Sequence, residues 1–162
     1  RQLRGRINLE LGNYKKGISD FSRAIEIEQS EPYLYAYRAY LKLVGGDLKG
    51  AIKDINRSEK LGLKKEFIFQ LQGDYFYKKG NLNKAIGFYF DSEKENSELI
   101  NFENQIRLAY IYYQLNKLDK SCEYYLLARN SGFSTNIGIS NSLGDFFNNN
   151  INFEKLCPNI NN

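Results

Sequence analysis

A period of 34 residues governs this chain. The stretch LELGNYKKGISDFSRAIEI (9–27) returns as LKLVGGDLKGAIKDINRSEKL (41–61) and as YKKGNLNKAIGFYFDSEK (77–94), with Gly12, Gly46 and Gly80 spaced 34 and 34 apart. A fourth copy, YQLNKLDKSCEYYLLA (113–128), has Asn116 in the glycine's place after a spacing of 36. Aligned on these anchors, three columns hold only small residues: Gly5, Ala39, Gly73 and Ala109; Gly17, Ala51, Ala85 and Ser121; Ala24, Ser58, Ser92 and Ala128. Gly, Ala and Ser make up 31 of the 162 residues, so composition alone does not fill twelve such positions. Small side chains at fixed intervals let helix backbones approach closely, and a fixed period of this length marks stacked supersecondary units.

Between the small columns the apolar residues follow helical spacing, as in Ile18, Phe21 and Ile25 or Ile86, Tyr89 and Phe90. Each anchor Gly or Asn stands where a first helix must stop in a left-handed residue. The pattern predicts helices over 1–11, 14–28, 32–45, 48–61, 65–79, 82–95, 101–115 and 118–131.

These features resemble the tetratricopeptide repeat, a 34-residue helix–turn–helix module. The likeness rests on the small columns, the turn glycines, the column Phe21, Ile55, Tyr89 and Tyr125, and the bulky Phe76 and Tyr112, whose counterparts Asn8 and Lys42 depart from the scheme. It implies an all-α fold, a right-handed superhelical solenoid of stacked antiparallel helical hairpins. Residues 1–134 would form four repeats, the first truncated at its N-terminus. Ile139, Leu143, Phe146 and Phe147 predict a capping helix within 135–147, and residues 148–162, seven of them Asn, read as a poorly ordered tail.

Composition removes several chemistries. There is no histidine, which excludes histidine triads, ligands and pH switches. The net charge of +4 is spread along the chain, without a basic block for nucleic acid. No apolar run approaches the roughly 20 residues that span a bilayer. Cys122 falls in the column of Ile18, Ile52 and Ile86 and reads as a small buried hydrophobe; Cys157 falls in the tail. One disulfide is arithmetically possible, but a reducing compartment suits such a pair, which slightly favours a cytoplasmic location. No catalytic residue, cofactor or metal is expected. Arg4 and Arg38 each lie 16 residues before Asp20 and Asp54, the spacing of a salt bridge within a hairpin. Repeats three and four replace that pair by Gln72 with Phe88 and Leu108 with Tyr124, so the pair reads as structural.

The resemblance further implies a groove lined by first helices. Its groove-facing positions carry Tyr33, Tyr37 and Tyr40 in repeat two, Phe67, Asp74 and Tyr77 in repeat three, and Arg107, Tyr110 and Tyr113 in repeat four. Rings of this kind offer contact area at low entropic cost, so the expected partner is a peptide or helix of another protein. An alternative is a scaffold segment of a larger enzyme; a nucleic-acid-binding solenoid is disfavoured by the mixed charge. Heat-shock chaperone tails are not expected partners. The places of the carboxylate clamp hold Gln2, Arg6, Tyr37, Phe67 and Leu71 in one window and Ala36, Tyr40, Leu71, Glu103 and Arg107 in the next.

Overall fold

The computed structural model describes residues 13–95, 102–132, 146–147 and 151–157. Among them lie eight helices and no strand: α1 (Tyr14–Ile27), α2 (Pro32–Val44), α3 (Leu48–Lys60), α4 (Lys65–Lys78), α5 (Leu82–Glu95), α6 (Phe102–Gln114), α7 (Leu118–Asn130) and α8 (Phe153–Leu156). The first seven coincide with predicted helices to within one residue at each end. The helix predicted over 1–11 lies outside the described residues, as does most of the capping helix; of the latter, Phe146 and Phe147 are described and buried.

The period is written into the helix ends. Gly46, Gly80 and Asn116 have φ of 83°, 79° and 55°, as the anchors require. Each closes a first helix in the same way. Asp47, Asn81 and Lys117 donate their backbone N–H back to Lys42, Phe76 and Tyr112, while the anchors themselves donate to Leu43, Tyr77 and Tyr113. The residue after each glycine then starts the next helix: Asp47 accepts from the Gly50 N–H at 2.8 Å and Asn81 from the Lys84 N–H at 3.1 Å. Thus two consecutive residues stop one helix and cap its partner.

The chain divides into two units, Arg1–Glu95 and Asn96–Asn162. In the first, α2 pairs with α3 and α4 with α5, α1 packs on α2, and α2 lies beside α4. In the second, α6 pairs with α7. All described members of the three small columns, every one except Gly5, are buried. At Gly73 a Cβ would run into the ring of Tyr89, so the small residue is what lets that ring enter the hairpin. The column serines add a polar tie: Ser92 donates to the Glu66 carbonyl at 2.7 Å and Ser121 to the Ala109 carbonyl at 2.8 Å, from second helix to first.

One pair of columns is filled by two different chemistries. In the α2–α3 hairpin, Asp54 accepts two hydrogen bonds from Arg38, at 2.7 and 2.8 Å, and one from Lys42 at 2.7 Å. The predicted intra-repeat salt bridge is therefore present there; Arg4, the partner expected for Asp20, lies outside the described residues. One period later the equivalents of Lys42 and Asp54 are Phe76 and Phe88, stacked at 5.3 Å, with Lys84 over the Phe76 ring. In the last hairpin Tyr112 and Tyr124 stack at 5.3 Å under Lys120.

Candidate functional site

The first helices bring together an aromatic ladder in the first unit. Tyr33 and Tyr37 lie one turn apart on α2, and Phe67 stands on α4 one period after Tyr33. The Tyr33 ring meets Phe67 edge-on at 5.8 Å and Tyr37 at 6.5 Å, and Tyr37 stacks on Phe21 of α1 at 5.4 Å. The ladder is graded: Phe21 is buried, Tyr37 half-buried, while Tyr33 and Phe67 are 38% and 39% exposed. Exposure of two large rings in contact with each other is the unusual feature, since packing of the hairpins requires neither.

Local chemistry sets the position of both rings. Pro32 opens α2 and Glu31 caps it, accepting from the Tyr33 N–H at 3.2 Å, so Tyr33 sits in a fixed first turn. Phe67 occupies the corresponding turn of α4, which begins after Lys64 with no side-chain cap.

The other expected groove residues are placed differently. Tyr40 is half-buried and packs against the cluster of Ala36, Ala39, Ile55, Leu63, Ile68 and Leu71. Tyr77 and Tyr113 are half-buried, with the Lys78 ammonium 6.0 Å from the Tyr77 ring. Burial lowers the pKa of that ammonium against the opposing charge of Asp74. Three residues expected in the groove belong to the interior instead. Asp74 is fully buried and accepts a 2.7 Å hydrogen bond from the Tyr89 hydroxyl. Arg107, 4% exposed, donates to the Glu103 carbonyl at 3.0 Å and pairs with its carboxylate at 3.6 Å, one turn back on α6. Tyr110, 5% exposed, stacks on Phe147 at 4.8 Å and meets Phe153 edge-on at 5.1 Å. Its hydroxyl pKa is pushed up to about 12, by burial first and by Tyr125 second.

Two further expectations change. Cys122 is not a solitary hydrophobe: it forms a disulfide with Cys157, 35 residues on, with the Cα atoms 5.6 Å apart. Bridged cysteines belong with oxidising surroundings, so the ground for preferring a reducing compartment is removed. Part of the expected tail is likewise structured, because Phe153 and Cys157 are both buried and α8 carries an Asn152 cap. Aromatic contacts and a covalent bond outweigh the polar composition of this stretch. Among the described residues no helix is long and apolar enough to cross a membrane, and no group of three or more Cys, Asp or Glu is gathered as metal ligands would be.

The repeated hairpins, their glycine turns and their small columns define the architecture, and the family comparison gives it a name. Residues 1–31 and 102–128 match the tetratricopeptide repeat family. Over these two stretches the chain is similar to tetratricopeptide repeats. Solved structures agree on the fold. PilF of Pseudomonas aeruginosa is similar with a TM-score of 0.63 at 14% identity, over 98% of this chain and 73% of that one. YrrB, a tetratricopeptide-repeat protein described as having an unusual peptide-binding site, gives 0.52 at 11% identity over 97% and 82%. The C-terminal part of a repeat protein from Cytophaga hutchinsonii gives 0.51 at 14% identity over 98% and 80%. None of the curated proteins compared matches in sequence. Tetratricopeptide repeats serve generally as protein–protein interaction modules.

Proposed function

We propose that this chain is a non-catalytic interaction module that holds a peptide or helix of another protein against the first helices of its N-terminal unit, with Tyr33, Tyr37 and Phe67 as the contact. The observation that carries this reading is the exposed edge-to-face pair of Tyr33 and Phe67 at equivalent places of consecutive repeats. An apolar partner side chain entering beside that pair would shed water from both rings, and the Tyr33 hydroxyl would remain for a backbone group of the partner. The peptide-binding site described for YrrB, on a similar fold, is in keeping with such a use.

The test is to recover bound proteins with the full chain as bait, map the bound segment, and titrate it against Phe67→Ala and Tyr33→Ala. Central rings of an interface typically contribute about 2 kcal/mol or more, so each variant should bind at least tenfold more weakly. Because both rings are partly exposed, the melting temperature should hardly move. Unchanged affinity in both variants would place the contact elsewhere.

A further inference from the structure

We propose that the turn edge of the first unit, where its first helices end and its second helices begin, is a surface that docks on the anionic headgroups of a lipid bilayer through Lys15, Lys16, Lys49, Lys79 and Lys84.

The hairpins gather charges that are spread along the chain. Lys15 and Lys16 open α1, Lys49 opens α3 and Lys84 opens α5, each in a first turn that holds no acidic residue, and Lys79 directly follows α4. All five are exposed. Lys42 and Lys78, in the last turns of α2 and α4, add two half-buried ammonium groups. Among the described residues of these turns the one carboxylate is Asp47, which is engaged in capping α3 through the Gly50 N–H. The turns also adjoin. The Tyr14 ring lies against Gly45, where a Cβ would come within 2.8 Å of it, and α2 and α4 lie side by side with their first turns joined by Tyr33 and Phe67.

The concentration of one sign is confined to this edge. At the opposite end of the same helices Glu26, Glu28 and Glu59 stand among Arg57, Lys60 and Lys64, so neither sign prevails. In the second unit the corresponding first turn holds Asp119 beside Lys120, and the last turn of α6 has no basic residue.

Folding does not ask for these lysines. The start of a helix carries partial positive charge and is stabilised by acidic residues, so three successive second helices break the same local rule in the same way. That lysine alone is used narrows the partner. Its ammonium is a compact, hydrated point charge without the planar fork by which arginine fixes a single carboxylate or phosphate, and it suits the diffuse charge of an anionic bilayer surface. Apolar side chains stand in the same turns: Tyr14, Leu48 and Leu82 begin the three second helices and are only half-buried, the mixture of apolar and cationic groups found on interfacial surfaces. A single-stranded nucleic acid would need rings open for stacking, whereas Tyr75 and Phe76 lie under the ammonium groups of Lys79 and Lys84, at 5.6 and 5.1 Å. Tyr33 and Phe67 stand at the other end of α2 and α4, so docking on a bilayer leaves the proposed peptide contact open.

The experiment sediments the full chain with phosphatidylcholine vesicles, with and without phosphatidylserine. Binding should require phosphatidylserine and weaken as salt is raised. Two triple variants change the net charge equally: Lys16→Glu, Lys49→Glu and Lys84→Glu at the turn edge, and Lys60→Glu, Lys64→Glu and Lys65→Glu at the opposite end. The first should bind at least about tenfold more weakly, and the second should stay within about twofold of the parent. The turn-edge substitutions place acidic residues where helix starts favour them, so an undiminished melting temperature by circular dichroism keeps folding out of the result. Equal binding to both kinds of vesicle, or equal losses in the two variants, would overturn the proposal. So would a labelled single-stranded RNA that binds the parent but not the turn-edge variant while neither kind of vesicle binds, because the edge would then belong to nucleic acid.

Discussion

Single residues in this chain take their roles from the column they stand in and from what faces that column. Gly80 illustrates the first. Its φ of 79° suits glycine, and a Cβ there would meet no atom within 4 Å, so any penalty for Gly80→Ala comes from the backbone alone. Chemical denaturation should show a loss of about 1–2 kcal/mol with an unchanged m-value. Tyr110 illustrates the second. With a folded pKa raised from 10.0 to about 12, the unfolded chain releases the hydroxyl proton first. The stability that protonated Tyr110 contributes is whole below pH 10 and is lost between there and about pH 12. Absorbance titration of tyrosinate should contain a late-ionising class that loses one member in Tyr110→Phe. An unaltered late class would show that Tyr110 ionises as an exposed phenol.

At the scale of helices, most of the architecture was legible in the sequence, because each copy repeats the same backbone problem and solves it with the same residue types. The 34-residue spacing located the turns, and the small columns located the helix crossings. Ala51 is the clearest case: it is fully buried at the α2–α3 crossing, so Ala51→Leu should overpack the hairpin and lower stability by about 1–3 kcal/mol, read from denaturation midpoints. A variant as stable as the parent would contradict the packing. The site was only partly legible. Tyr33, Tyr37 and Phe67 do meet, and their spacing of one turn and one period was the available signal. Asp74, Arg107 and Tyr110 were misplaced because alignment of copies assigns each column one environment. Asp74 is drawn in by Tyr89 of its own hairpin, Arg107 folds back on Glu103, and Tyr110 is covered by Phe147 and Phe153 from beyond the last repeat. The disulfide was illegible for a related reason, since its second cysteine lies where the repeat, and with it any positional guide, has stopped.

The whole molecule consists of two units built from one repeat and finished differently. The first, Arg1–Glu95, shows a graded ladder of rings on its first helices. The second, Asn96–Asn162, buries Tyr110 and Tyr125 against Phe153 of α8 and ties that segment down through a bridge across 35 residues. In the chain-entropy account, a loop of that length restricts the unfolded state by about 4 kcal/mol. In the proposed function, recognition belongs to the first unit. Hydrogen–deuterium exchange of the oxidised chain, alone and saturated with its mapped partner segment, tests that assignment most directly. The account predicts new protection concentrated in the first turns of α2 and α4, around Tyr33 and Phe67, with α3 and α5 little changed. Protection confined to α3 and α5, or to α6 and α7, would contradict it.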